Sequence, residues 1–234
     1  MKIKFNPTEE LAELSVSPPR PAIEYLPEWY KNMSPFFTKK PEFDATGKPN
    51  NTFKFCMPFL DSFSLGYIQE LWTDIWFEEK DGGLYFYYPA GPIPMNERAQ
   101  QVAQSTPKAE GFRHSHYTWS PPWMPELPEG YSVIITHPFN RNELPFMTMT
   151  GIIDADSFVT SPPNSNIPFL LKEGFTGLLK KGTPLYQMIP FKRDSWESET
   201  AKYDRERQIK MTQEVRQHMW NGYKDLHWKQ KEFK

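Results

Sequence analysis

The chain has one cysteine, Cys56, in 234 residues. That excludes an intramolecular disulfide and any zinc site built on several thiolates. Within "FKFCMPF" the residue reads as a small buried hydrophobe. Glycine is also scarce, with 12 residues against 24 prolines. None of the glycines falls into Gly-x-Gly-x-x-Gly, Gly-x-x-x-x-Gly-Lys or Gly-x-Ser-x-Gly. The usual scaffolds of dinucleotide binding, phosphate cradling and nucleophile-elbow hydrolysis are therefore missing. No apolar run approaches the roughly 20 residues that cross a bilayer. The opening "MKIKFNPTEEL" has charge but no apolar signal-peptide core. Neither charge sign dominates: Lys and Arg total 27, Asp and Glu 29, and the net charge is -2. A global basic field of the kind nucleic-acid binders use is thus excluded. The expectation is a soluble chain in a reducing compartment, with no membrane partner and no strong nucleic-acid signal.

Aromatics, at 16% of residues, and prolines are what the chain has in abundance. Proline at this density breaks helices and confines strands to short, turn-bounded segments. Aromatics argue against disorder and for a real core. Residues 1–50 read as an extended arm, with prolines and large aromatics alternating in "VSPPRPAIEYLPEWYKNMSPFF". A helical turn fits Pro27–Asn32. The aromatics favour docking on the chain's own domain over service as a polyproline ligand.

Residues 51–193 carry the strand signals. "KDGG" between "YIQELWTDIWFEE" and "LYFYYP" marks a hairpin, and "LWTDIWF" reads as a strand packed on both faces. Residues 91–113 read as a loop with a short helix. Further strands are expected at "HSHYTW", "YSVIITHPF", "FMTMTGIIDA", "IPFLLKE" and "PLYQMIPF". No helix of crossover length lies between them, so the expected fold is all-β, an antiparallel sandwich or distorted barrel. In "KEGFTGLLKKG", Gly174 and Gly182 read as turns flanking a short strand.

After Arg193 the text becomes charged and almost free of breakers, which predicts a C-terminal helix over residues 194–234 with a stop at Asn221-Gly222. Ile209, Met211, Val215, Met219 and Trp220 form its apolar residues. With Tyr25, Trp29 and Tyr30 of the arm, Ile209, Val215, Met219 and Trp220 are the candidate interface groups: they either pack on their own chain or reach another subunit.

Two constellations could carry chemistry. His114 and His116 stand at i, i+2, so in a strand they point the same way, and His137 could add a third nitrogen from a neighbouring strand. Such a set would suit zinc or non-haem iron in a jelly-roll enzyme; the alternative is an ordinary structural His-x-His pair, and the expectation is no bound cofactor. The second constellation is Asp154 and Asp156 in "MTGIIDADSF", directly after an apolar run.

"TGIIDADSF", followed by "NIPFLLKEGFTGLLKKGTPLYQMIPF", resembles the second half of the trimeric dUTPase family, over roughly residues 127–191. Gly151 to Asp156 match its third motif in order, and Lys181, Gly182, Leu185, Gln187, Met188 and Ile189 match the strand that follows. The resemblance implies a dUTPase-like fold, threefold assembly and Asp154 as the base that activates water. The pattern then departs: Ser157, Phe158 and Val159 stand where an aromatic platform and Arg-Gly belong. "HPFNRN" replaces the phosphate-binding Arg-Ser turn, and a charged segment replaces the glycine-rich arm. Without those donors the resemblance implies a fold rather than a hydrolase. The wider pattern, "CMPF", "LPEGYSVIITHPFNR", "GIIDAD" and "KKGTPLYQMIPFKR", is similar to uncharacterised proteins of tailed phages. That similarity implies a non-enzymatic structural or interaction protein, partnered with itself or other phage proteins, in the cytoplasm of the infected host cell or in the virion.

Overall fold

Twenty-four prolines leave room only for short elements, and the computed structural model follows that constraint. It describes residues 1–157, 166–218 and 221–234. The arm contains β1 (Lys4–Pro7), α1 (Glu10–Ser15), β2 (Arg20–Pro21) and α2 (Glu28–Lys31). Next come α3 (Met57–Ser64), β3 (Tyr67–Glu70), β4 (Ile75–Lys80), β5 (Gly83–Tyr87), β6 (Met95–Glu97) and α4 (Gln100–Gln104). The central strands are β7 (Phe112–Trp119), β8 (Trp123–Glu126), β9 (Tyr131–Thr136), β10 (Phe146–Thr148) and β11 (Gly151–Ile153). Then follow β12 (Ile167–Lys172), β13 (Gly177–Leu179), β14 (Pro184–Lys192), α5 (Arg205–Gln217) and α6 (Gly222–Leu226).

The fold is β-rich, and the strand pairs described are all antiparallel. A four-stranded sheet runs β10-β12-β7-β6 and a five-stranded one β11-β9-β14-β3-β2. A three-stranded sheet, β13-β4-β5, and the pair β1-β8 complete the set. Period-2 alternation sends Trp119, Tyr117, Phe169 and Phe146 from the first sheet, and Val133, Ile135, Tyr186 and Met188 from the second, into one core. Trp119 stacks on Phe169 with ring centroids 3.7 Å apart, and Phe146 meets Trp119 edge-on at 5.0 Å.

A polar stitch crosses this core. Trp119 Nε1 donates to Thr148 Oγ1 at 3.1 Å, and that hydroxyl donates to the Leu185 carbonyl at 2.7 Å, linking the two large sheets. Both polar groups are satisfied where water cannot reach, so their burial carries little penalty.

On the far face of β14, Gln187 donates to the Ser62 carbonyl at 3.0 Å and accepts from Phe139 N at 3.0 Å, joining α3 to the five-stranded sheet. Gly66 permits that approach: its φ is +74°, and a Cβ there would sit 2.1 Å from the Met188 carbonyl oxygen.

The "KDGG" hairpin is β4–β5, with Lys80 opposite Gly83 and positive φ at both Asp81 and Gly82. That is the backbone of a type I′ turn, whose twist matches that of the strands. Several expectations need correcting. The strand in "LWTDIWF" begins at Ile75 and packs on one face only, because Ile75 and Phe77 enter the core while Trp76 faces solvent. "FMTMTGIIDA" is two strands: after Thr148 the chain leaves the four-stranded sheet and re-enters the five-stranded one at Gly151. The polar stretch after residue 91 holds β6, paired with β7, as well as the short α4. Cys56 is half-buried, since it precedes α3 at its N-cap rather than lying within a strand. The C-terminal helix is two helices, and Asn221 precedes the second instead of ending the first. Gly222 makes that corner possible, because a Cβ there would meet the Val215 carbonyl oxygen at 2.5 Å.

Candidate functional site

β11 ends where the apolar alternation of "GIIDAD" runs into polar text. Ala155 is buried in the core. Asp154 and Asp156 flank it in the turn that follows β11, closed by Ser157 N donating to the Asp154 carbonyl at 3.2 Å, and that turn brings both carboxylates to one corner. Both meet Arg193, one residue past the end of β14. Its Nη1 lies 3.3 Å from Asp154 Oδ1 and 2.9 Å from Asp156 Oδ1, and its Nη2 pairs with Asp156 Oδ2. The same Nη1 also reaches the Tyr131 carbonyl and Ser132 Oγ, each at 3.1 Å.

Backbone groups complete the corner. Gly130 N donates to Asp156 Oδ2 at 2.8 Å, Ser132 Oγ donates to Asp154 Oδ1 at 2.7 Å, and Arg193 N donates to the Gly130 carbonyl at 2.9 Å. The network pins the ends of β11, β9 and β14 to one another.

The two acids differ. The Asp156 side chain is 8% exposed and that of Asp154 64%. Bonding to Arg193, aided by the Gly130 amide, holds the Asp156 carboxyl down at about 2. A carboxylate stabilised that far is a weak base at neutral pH and no general acid, since basicity falls with pKa. The arrangement is chemically a clamp.

The histidines are dispersed. His116 is buried beneath the end of α4, with Nε2 3.2 Å from Thr106 Oγ1, and desolvation pushes its pKa down. His114 is exposed on the same strand. Both nitrogens of His137 are engaged: Nδ1 accepts from Thr148 N at 3.3 Å and Nε2 faces the Arg141 carbonyl at 3.2 Å. That fixes the tautomer protonated at Nε2, and burial lowers the pKa. Among the described residues no three His, Cys, Asp or Glu side chains gather where a metal ion could be held.

The arm's candidate interface groups pack on their own chain. The Tyr25 hydroxyl donates to Glu70 at 2.9 Å and accepts from Arg20 Nε at 3.0 Å. Tyr30 is buried against Phe63, with ring centroids 5.1 Å apart, and Trp29 leans on both Tyr30 and Phe63.

At the other end the chain leaves the body and returns. Every residue from Asp194 to Glu214 is exposed, and α5 buries none of its residues. Ile209 and Met211 are exposed, and at 100° per residue they lie about 160° apart around α5 rather than in one stripe. Val215 is half-buried at the corner with Gly222. Met219 and Trp220 lie outside the described residues. The tail then comes back to α3 and β3: Trp228 Nε1 donates to Asp61 at 3.0 Å, Lys231 pairs with the same carboxylate, and Tyr67 Oη donates to the Lys234 carbonyl at 3.2 Å.

Arg193, Gly130 and Ser132 are the site members that sequence reasoning missed. The signal for them is the register Lys192↔Tyr131 between β14 and β9, which no local pattern contains. Among the described residues, no helix is long and apolar enough to cross a membrane. No protein-family model matches the chain, and no curated protein matches it.

Proposed function

We propose that this chain is a non-enzymatic structural or interaction protein of tailed-phage type, a dUTPase-like β-sandwich that assembles with copies of itself, a trimer being the first arrangement to test. Its place would be the infected host's cytoplasm or the virion. The observation that carries the reading is the segment 194–217, tied to the body at β14 and again through Trp228 and Tyr67, yet exposed along nearly its whole length. Trp196 is 89% exposed, and Tyr203, Ile209 and Met211 are also open to solvent. A 13-residue helix is marginal in water without a surface to pack on. Fully burying one such side chain is worth roughly 1.5–3 kcal/mol, so a neighbouring copy gives the segment a stabilising contact.

A nucleotide-binding or hydrolysing dUTPase-like enzyme is the second reading, favoured by the exposure of Asp154 alone. The clamp on Asp156 and the absent donors weigh against it.

Sedimentation of the full chain at tens of micromolar tests the proposal. A closed oligomer is expected, weakened by the paired changes Trp196→Ser and Tyr203→Ser and by removal of residues 201–234, while the β-body still melts cooperatively. A wild-type monomer would overturn it, and magnesium-dependent pyrophosphate release from dUTP, abolished in Asp154→Asn, would promote the second reading.

A further inference from the structure

The outer face of the β4–β5 hairpin holds three large rings that the core does not use. Register places Trp76 opposite Tyr87 and Glu78 opposite Tyr85, all on the face away from buried Phe77. Leu178 of β13 lies beside Trp76. Each of the three rings is about half exposed. Within the described residues none of them stacks on another ring, and Trp76 Nε1, both tyrosine hydroxyls and the Glu78 carboxylate make no hydrogen bond. Successive same-face residues of a strand stand about 7 Å apart, so Tyr85 and Tyr87 form a row on a rigid, turn-locked hairpin.

This row adjoins a polar cleft. Tyr85 lines an open depression of about 790 Å³ whose walls include Arg113, His114, Glu97 and Glu173. Arg113 Nη2 donates to Glu79 at 3.0 Å, but its Nε–H is buried without a partner.

We propose that this surface binds a neutral oligosaccharide. A pyranose ring offers an apolar C–H face that stacks on Trp76, Tyr85 or Tyr87, and a rim of hydroxyls that both donate and accept. The free ring donors and the Glu78 and Glu97 carboxylates supply the complementary groups. The balance of charge selects against the competing ligand that also stacks on aromatics: single-stranded nucleic acid needs a basic groove to follow its phosphates. Here the acids outnumber the bases, and Arg113 already faces Glu79.

Titration calorimetry and ligand-observed magnetic resonance on the full chain, with chitotetraose, cellohexaose, maltohexaose and xylohexaose as probes, test this. Saturable binding of at least one is expected, weakened about tenfold or more in Trp76→Ala and in Tyr87→Ala, with sedimenting mass and melting temperature unchanged. The proposal fails if none of the four binds, if the aromatic variants bind as tightly as the parent, or if an oligothymidylate binds more tightly than every sugar. It also fails if Trp76→Ala changes the sedimenting mass, because the face then belongs to a contact between copies.

Discussion

Trp119 and Trp196 carry the same side chain and meet opposite environments. Trp119 is fully buried, stacked on Phe169 and hydrogen-bonded to Thr148. Trp196, four residues beyond the end of β14, stands in solvent. Hydrophobicity cannot separate them. Strand pairing can: β7 is held on both edges, by β12 and β6, so its alternation has a fixed direction. Among the described residues the segment from Asp194 to Gln217 has no strand partner, and its helix begins on a local bond, Asp204 capping α5 through Arg207 N at 2.9 Å. The body is thus over-determined by long-range contacts, while the projecting segment is set by its neighbours in sequence, so the two should respond differently to the same insult.

Glycine substitution gives the largest expected contrast. In Gly66→Ala the new methyl meets the Met188 carbonyl at 2.1 Å from a left-handed backbone. Roughly 3 kcal/mol or more should be lost from the body, read as a fall in the urea midpoint. Gly222→Ala creates a comparable clash with Val215, yet should open only the α5–α6 corner. Hydrogen exchange should quicken there while the midpoint of the body holds. Equal losses in both variants would erase the distinction between the regions.

Acid sharpens it further. The unfolded Asp156 takes up a proton near 4, the folded one near 2. Between those values the unfolded state binds more protons, so stability falls as pH drops. His137 has the same sign at higher pH: burial holds the folded imidazole neutral, so stability also falls as pH drops through the unfolded value near 6.5. Urea midpoints taken from neutral pH down to about 2 should show both losses, the lower one reduced in Asp156→Asn, since Asp44, Glu126 and Glu173 are also held low, and the upper one reduced in His137→Gln. A midpoint flat through both windows would mean that neither group is linked to folding.

The smallest effect runs the other way. The Tyr186 hydroxyl is buried in the core without a partner. Tyr186→Phe should therefore stabilise the body by about 1 kcal/mol, whereas Tyr203→Phe, on the exposed segment, should leave melting unchanged. A destabilised Tyr186→Phe would point to an unseen partner for that oxygen.

Much of this architecture was legible in local text. Asp81-Gly82 announced its turn because only that chemistry takes two positive φ angles cheaply, and proline spacing announced short strands. The position of Asp154 and Asp156, directly after an apolar run, marked them as a candidate pair. What they face was hidden, since Arg193 arrives through the pairing of β9 with β14. Likewise nothing local says that Met149 and Thr150 carry the chain from one sheet to another, or that Trp76 faces outward while Phe77 does not. Those facts depend on which edge a strand finds, and edges are properties of the assembled sheet.

The pairing of β1 with β8 has a consequence in time as well as in space. Lys4 and Glu126 are 122 positions apart, and in the described residues β8 has no other strand partner. At ribosomal speeds of about 5–20 residues per second, the N-terminal strand waits roughly 6–25 s before its mate has been made. During synthesis the first residues of the arm are therefore an unpaired strand seeking an edge. Crowded polysomes, where several such arms wait side by side, are where this chain is most exposed to joining the wrong copy.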